Sequence, residues 1–205
     1  RKKKLYFYGI IALVVLLVFS DALYIVDETQ QAIITQFGEP IGEPITSAGI
    51  HIKVPFIHKV TFFEKRIIEW DGDANQIPTK DKKYILVDTF ARWRIVDPLK
   101  FYTSVNNERN AMGRLDDIID GLTRDLISQN VLIEVVRNSN RKMAITSEGE
   151  DIGLPEADSL TIDFGRSSIV KEILGHVQKT VPQYGIEVMD IRIKQVNYIE
   201  EVREK

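Results

Sequence analysis

Histidine is the side chain best suited to bind a metal or to transfer protons near neutral pH, and the sequence contains three. His51 and His58 flank the end of one predicted strand, so together they would supply a metal with two ligands. His176 falls within a predicted helix beside its apolar stripe, where a surface position is the commoner interpretation. Cysteine is absent, which excludes disulfides and thiolate metal sites. We therefore predict no metal and no cofactor.

Two further groups could support catalysis, but each has a simpler structural interpretation. Ser167 and Ser168 stand at the start of a predicted helix, and serine there typically caps a helix. Three aspartates share the polar face of an earlier predicted helix, where carboxylates are usually solvated: Asp116, Asp117 and Asp120. The sequence contains no HExxH, GxSxG or glycine-rich phosphate loop. It predicts a protein that is not an enzyme; the alternative is an extracytoplasmic hydrolase on a membrane tether.

Composition excludes one large class of partners. The 205 residues are 44% hydrophobic and 28% charged, as expected for one or two small globular domains. The formal net charge of −3 becomes −7 when the four cations of residues 1–4 are set aside. Nucleic-acid binding requires a basic face, so we predict no nucleic-acid partner.

The N-terminal residues 1–26 have the pattern of a membrane anchor. Within residues 5–26 the only charged side chain is Asp21. As a helix, this stretch would extend about 33 Å, enough to cross a hydrocarbon core of about 30 Å. Two alternatives are a cleaved signal peptide, with Ser20 and Ala22 near the cleavage site, and a buried helix of a soluble protein.

The residues around this segment predict its orientation. Cations that flank a span are retained on the cytoplasmic side, and the chain opens with Arg1, Lys2, Lys3 and Lys4. They predict a cytoplasmic N-terminus and a translocated remainder, and they would also attract anionic lipid. Aromatic side chains favour the membrane interface, and the candidates are Tyr6, Tyr8 and Tyr24. Asp21 would then lie near the outer boundary of the membrane.

Residues 27–96 predict a first subdomain that is mostly β. Short alternating segments are separated there by glycine and proline, which is typical of an antiparallel sheet. The clearest strand covers residues 84–96, where apolar and charged residues alternate. A loop is predicted over residues 42–49, because Pro44 lies within it.

A second clear strand is predicted over residues 50–56. Its apolar side chains alternate with His51 and Lys53, so we expect the apolar face to be half-buried in the domain. Pro55 favours a position at the edge of a sheet, and edge strands can pair with a neighbouring subunit. The candidate contact residues are Ile50, Ile52, Lys53 and Pro55; alternatively, Lys53 and Pro55 mask the edge.

Helical signals dominate residues 97–197, which predicts a second subdomain of α/β type. Asp97 followed by Pro98 is a helix start signal. Apolar periodicity and proline positions predict three helices and a last strand, at residues 98–103, 108–128, 167–181 and 186–196. Residues 147–165 are acidic and predict a loop, and residues 198–205 predict the start of a charged helix that continues further. The fold class is therefore α+β behind an N-terminal transmembrane helix.

Four segments resemble the SPFH superfamily, also called band 7, which includes stomatin, prohibitin, flotillin and the HflK and HflC proteins. They are AIITQFGEP (32–40), AGIHIKVPFI (48–57), DTFARWRIVDP (88–98) and YGIEVMDIRIKQVN (184–197). Together with the basic and apolar N-terminus, they are most similar to the HflC branch. The resemblance implies an SPFH domain in two parts, followed by a coiled-coil helix that this sequence lacks.

The resemblance also implies a function. HflC-type proteins are membrane-anchored scaffold subunits that alternate with an HflK-type partner in a ring or cage. The cage encloses the AAA protease FtsH and limits which substrates reach it. The implied location is the bacterial inner membrane, with the SPFH domain on the periplasmic side. The alternative is a stomatin- or prohibitin-like homo-oligomer that organises membrane lipid or regulates another membrane protein.

Overall fold

The computed structural model describes residues 2–140 and 161–198, so the expectations for Arg1, residues 147–160 and residues 199–205 lie outside the described residues. In chain order the helices and strands are α1 Lys2–Ala22, β1 Leu23–Val26, β2 Gln30–Gln36, β3 Glu39–Ile45, β4 Gly49–Ile52, β5 His58–Glu64, β6 Ile68–Asp71, β7 Asn75–Pro78, β8 Tyr84–Ile95, α2 Pro98–Ser104, α3 Glu108–Gln129, α4 Leu132–Val136, α5 Arg166–Thr180 and β9 Ile186–Tyr198. This mixture confirms the α+β class.

The helix start predicted from Asp97 and Pro98 is confirmed. Pro98 is the first residue of α2, and the Asp97 carboxylate accepts a hydrogen bond from the backbone N–H of Lys100 at 2.9 Å. Helices α3 and α5 also begin and end within one residue of the predicted bounds. Local start and stop signals are therefore sufficient to locate α2, α3 and α5, whereas the short α4 was not predicted.

Strand β3 corrects the predicted loop at residues 42–49. It contains Pro40 and Pro44, yet it pairs with β2 as the outer strand of a three-stranded antiparallel sheet in the order β3-β2-β5. Proline lacks the N–H that a residue in a central strand donates to its neighbour. On an edge strand, the N–H groups of the outer side have no neighbouring strand to bond, so proline is tolerated there. The prolines therefore predict an edge strand rather than the absence of a strand.

The chain divides into two compact units. Unit 1 comprises Arg1–Ile68, Trp93–Glu108 and Pro182–Glu187, and unit 2 comprises Glu69–Arg92, Arg109–Val181 and Val188–Lys205. Strands β8 and β9 each contribute residues to both units. The predicted boundary between residues 96 and 97 stays a prediction.

Aromatic packing forms the core of unit 1. Phe101 of α2 is fully buried and meets Phe63 of β5 edge to face, with ring centroids 5.3 Å apart. Trp93 stacks on Phe101 at 6.4 Å and is also fully buried. The buried polar side chain of Gln31 is satisfied in this core, because its Nε2 donates to the carbonyl oxygen of Ile95 at 3.0 Å. Helix α2 is thus held on the β2–β5 sheet by ring contacts.

Unit 2 is built on strand β8. This strand pairs with β6, β7 and β9, and alternate side chains along it are buried, as its sequence predicts. Helices α3 and α5 each turn one apolar stripe inward. The large apolar residues buried along the two stripes are Leu115, Ile119, Ile127, Ile169, Ile173 and Val177.

No helix in residues 2–140 and 161–198 combines the length and the apolar character that crossing a membrane requires.

Candidate membrane-facing surface

Helix α1 exposes a long series of large apolar side chains. Because the helix contains 21 residues, it extends about 32 Å. The described side chains leave no polar face along it: exposed residues include Tyr6, Phe7, Tyr8, Ile10, Leu13, Leu16, Leu17 and Phe19. Of the predicted topology residues, Arg1 and the side chains of Lys2, Lys3 and Lys4 lie outside the described part of the chain.

The two-stranded sheet that follows α1 carries a second exposed apolar surface. In its antiparallel register Leu23 lies opposite Ile52 and Ile25 lies opposite Ile50, so these four side chains share one face. Between 49% and 75% of each side chain is exposed. We name this the β1–β4 apolar face.

This exposure corrects the expectation that the apolar residues of the 50–56 strand are half-buried. The opposite face of the two strands points inward instead, where Tyr24 stacks on His51 at 5.7 Å and meets Phe62 edge to face. Because one face of a two-stranded sheet is already packed with Tyr24, Val26 and His51, the isoleucines are left outside. Tyr24 is thus half-buried within unit 1, and its position at the membrane interface stays a prediction.

A charged junction ties the end of α1 to the turn after β4. Asp21 accepts hydrogen bonds from the ammonium group of Lys53 and from the backbone N–H of Phe56, both at 2.9 Å. The Lys53 N–H donates to the carbonyl oxygen of Ala22 at 2.8 Å, and only 14% of the Lys53 side chain is exposed. The two charges that interrupt apolar stretches thus neutralise each other.

Strand β4 is shorter than predicted and ends at Ile52, so Lys53 and Pro55 lie in the following turn. Within the described residues β4 pairs only with β1. The hydrogen bond from the Lys53 N–H to the Ala22 carbonyl oxygen marks residues 53 and 22 as a hydrogen-bonded pair of the β1–β4 ladder. Hydrogen-bonded and non-bonded pairs alternate along an antiparallel ladder, so the pairs that contain Ile52 and Ile50 are non-bonded. Ile50 and Ile52 therefore direct their N–H and C=O groups away from β1, toward the open edge.

The comparison with known families decides what kind of domain carries this surface. The SPFH domain / Band 7 family matches residues 24–205. The chain belongs to this family. The resemblance seen in the four sequence segments is thereby confirmed, and it covers both units of this SPFH protein.

Three relatives of this SPFH protein carry names that point to one group. It is 36% identical over 196 residues to Protein HflC of Treponema pallidum, and this alignment covers 91% of this chain and 59% of that protein. It is 35% identical over 195 residues to Protein HflC of Borreliella burgdorferi, with 92% and 59% covered. It is 28% identical over 222 residues to Modulator of FtsH protease HflC of Escherichia coli K12, with 95% and 64% covered. The chain thus spans 59–64% of these relatives.

Two histidines and two aspartates among the candidate site residues of this SPFH protein make structural contacts, and His176 is exposed on α5. His51 Nε2 lies 2.9 Å from the carbonyl oxygen of Ser47, and His58 Nδ1 accepts from the N–H of Val54. Asp116 accepts from the indole N–H of Trp70 at 2.5 Å. Asp120 accepts from Asn75, and burial raises the pKa of Asp120. No group of three or more His, Cys, Asp or Glu side chains among the described residues could hold a metal.

The predicted serine caps are wrong. Helix α5 begins at Arg166 and no side chain of its N-cap residue bonds to it, so Ser167 and Ser168 lie inside its first turn. The buried carboxylate of Glu134 instead holds the residues that lead into the helix, because it accepts from the backbone N–H groups of residues 163, 164 and 165 at 2.6, 3.1 and 2.5 Å. Inside the first turn, the side-chain oxygen of Asn138 accepts from the N–H of Ser167 at 3.1 Å. Glu134 is the one charged residue of the apolar α4. A single carboxylate among apolar neighbours is the sequence pattern that could have indicated its structural role.

Proposed function

We propose that the chain is a membrane-anchored, non-catalytic subunit that regulates an FtsH-type protease. One observation carries the proposal: the exposed apolar α1 runs directly into an SPFH domain whose first sheet is also apolar on its outer face. The name of the Escherichia coli relative, a modulator of FtsH protease, supports the same role.

Anchoring by α1 follows from the cost of leaving its side chains in water. Burying a leucine or phenylalanine side chain contributes roughly 1.5–3 kcal/mol, and ten of the large apolar side chains from Tyr6 to Phe19 are at least 44% exposed. A bilayer would cover them on every side, whereas a protein groove would cover one stripe. Flanking cations are retained on the cytoplasmic side, which supports a cytoplasmic N-terminus and an SPFH domain on the periplasmic side of the inner membrane as parts of this proposal.

Lateral assembly is the second part of the proposal. Subunits confined to one membrane plane meet at high effective concentration, so a weak contact repeated around a ring becomes strong. The edge of β4 offers backbone groups at Ile50 and Ile52 that pair with no described strand, so a neighbour could add a strand there. We propose an HflK-type homologue as that neighbour and a cage around FtsH as the product, with membrane lipid as a further partner.

Replacing Ile52 by proline tests the β4 edge. The substitution removes an N–H that points away from β1, so the subunit should keep its fold while the assembled particle becomes smaller. His51→Pro is the matched control, because it removes an N–H that points toward β1 and should destabilise the domain. Particle size after detergent extraction is the measurement, with circular dichroism as the check on folding. A folded Ile52→Pro variant in particles of unchanged size would contradict the role of this edge.

Co-purification tests the proposed partners. The full chain is expressed with FtsH and an HflK-type protein, extracted in mild detergent and sized by native mass spectrometry or electron microscopy. We expect one large particle that contains all three proteins, and faster loss of an FtsH membrane substrate when the chain is deleted. A large particle of this chain alone would favour the homo-oligomer. A stable monomer that binds neither protein would overturn the proposal.

A further inference from the structure

The turn between β7 and β8 presents a cluster of cations. The one acid in it, Asp81, is directed into unit 2, where its carboxylate accepts from the hydroxyl of Thr79 at 2.7 Å and from the N–H of Leu132 at 3.0 Å. Its three lysines are all exposed, and we name them the basic turn: Lys80, Lys82 and Lys83. Lys83 lies 3.5 Å from Asp81, whereas the other two lysines have no carboxylate partner within the part of the chain that the structure describes. The turn therefore carries positive charge outward.

Lys82 holds a backbone conformation that suits glycine better than lysine. Its φ is 61°, in the left-handed region that turns normally give to glycine, asparagine or aspartate. Hydrogen bonds brace the turn in this shape: the Lys82 N–H donates to the carbonyl oxygen of Thr79, and the Thr79 N–H donates to that of Lys83, both at 2.9 Å. A lysine here strains the fold while its position is fixed. Its charge is thus the property that this position supplies.

The same unit carries an acidic patch, made of carboxylates from the β6–β7 corner and the first half of α3: Asp73, Asp116, Asp117 and Asp120. Asn75 joins the two parts, because its amide donates to the carbonyl oxygen of Asp73 at 3.2 Å and to the carboxylate of Asp120 at 3.0 Å. Burial raises the pKa of Asp120, and the charges of Asp116 and Asp73 raise it further. Arg114 and Arg124 offset only two of the four negative charges. The patch therefore keeps negative charge that a cationic partner would stabilise.

The basic turn and the acidic patch cannot meet within one copy of the chain. The turn is fixed beside the end of α3, since the Lys80 N–H donates to the carbonyl oxygen of Asn130 at 2.9 Å. Asn130 follows Asp117 by about 20 Å along the axis of α3, which no lysine side chain spans. Two copies can bring the surfaces together, because opposite charges steer and register an interface.

We propose that the basic turn of one copy of this chain docks on the acidic patch of a second copy. The contact is head to tail, so each copy offers one surface of each kind and the contact can repeat around a ring. A second copy is favoured over anionic lipid because this chain itself carries the complementary surface. Exposed ion pairs are individually weak, but copies confined to one membrane plane meet at high effective concentration. The inference goes beyond the proposed function, since it needs neither FtsH nor an HflK-type homologue.

Carbodiimide cross-linking tests this contact, because the reagent joins a lysine amine to a carboxylate that touches it. The full chain, as an equal mixture of copies with light and heavy nitrogen, is reconstituted into phosphatidylcholine vesicles. We expect mixed-isotope peptides that link residues 80–83 to residues 116–120. Raising the salt from about 0.1 to about 1 M shortens the Debye length from about 10 to about 3 Å and should lower the yield. Links within single copies only, or a yield that salt leaves unchanged, overturn the proposal.

Charge reversal separates docking from a structural role of the same residues. Lys82→Glu and Asp117→Lys should each lower the yield by about tenfold, because like charges then face each other across the interface. Mixing the two variants should restore it, with a new link between residues 82 and 117. Lys171→Glu, at an exposed position on α5 of the same unit, is the matched control and should keep the parent yield. A mixture that stays as low as the single variants overturns the proposal.

A stabilising substitution gives an independent test. Lys82→Gly removes the cation and also the strain of a positive φ, so the thermal midpoint in detergent should rise while the cross-linked yield falls. A raised midpoint with an unchanged yield overturns the role of Lys82 in docking. None of these results bears on the proposed function, because particle size with Ile52→Pro and co-purification with FtsH measure that separately.

Discussion

Replacing Gly185 by alanine should destabilise unit 1 by at least about 3 kcal/mol, because two separate penalties add. Gly185 has φ 71°, where an L side chain is strained. An added Cβ would also collide with the carbonyl oxygen of Asp97 and lie 2.8 Å from the amide nitrogen of Phe101. Both are backbone atoms at the start of α2, so no side-chain rotation can relieve the contact.

The surroundings of Gly185 cannot easily move. Its carbonyl oxygen accepts the N–H groups of Val96 and Asp97 at 3.0 and 3.2 Å, and Phe101 is fixed in the aromatic core. Urea unfolding followed by circular dichroism measures the loss. Gly121→Ala is the matched control: this glycine is exposed in α3 with nothing within 4 Å of an added Cβ, so alanine should stabilise by about 0.5–1 kcal/mol. A loss below about 1 kcal/mol at Gly185 would refute the close approach.

Glu134→Gln should destabilise unit 2 by about 2–3 kcal/mol, the typical contribution of hydrogen bonds to a charged group. Glu134 is 6% exposed and accepts three backbone N–H groups of the residues immediately before α5. Glutamine keeps one acceptor oxygen and turns an NH₂ group toward the same donors, so at least one N–H loses its partner. Glu172→Gln, an exposed position on α5, is the matched control and should change stability little.

The same carboxylate should make unit 2 sensitive to acid. Burial alone would raise the pKa of Glu134, but the hydrogen bonds from residues 163, 165 and 164 outweigh it and lower the pKa below the ordinary 4.5. A lowered folded-state pKa means that the stabilisation is complete above the unfolded pKa and is lost as pH falls through the folded value. The urea midpoint should therefore fall steeply below about pH 4.5, and less steeply in Glu134→Gln. Identical slopes in the two proteins would exclude this role.

Much of the fold follows from local sequence signals. Asp97 and Pro98 start α2, the apolar stripe of α3 marks its bounds, and alternation along β8 predicts which of its residues are buried. Each of these signals involves residues that are close together along the chain, so it can be read from the sequence without knowing the tertiary fold. The family resemblance adds the order of the elements.

The candidate surface depended on tertiary context that a sequence does not contain. A period of two in residues 50–56 separates two faces, but it cannot tell which face the rest of the chain covers. Only the packing of Tyr24 against His51 and Phe62 decides that Ile50 and Ile52 stay outside. Likewise, the partners of Asp21 and Glu134 lie about thirty residues away in sequence.

The absence of any linker between α1 and β1 has a mechanical consequence. The helix ends at Ala22 and the strand begins at Leu23, while Asp21 braces the joint through Lys53 and Phe56. Transmembrane helices tilt to match the local hydrocarbon thickness. With α1 anchored as proposed, a tilt of the helix would rotate the attached sheet by a similar angle, because no flexible linker separates them. The inclination of unit 1 would then depend on the thickness of the bilayer. A ring of such subunits would widen or narrow as that thickness changes.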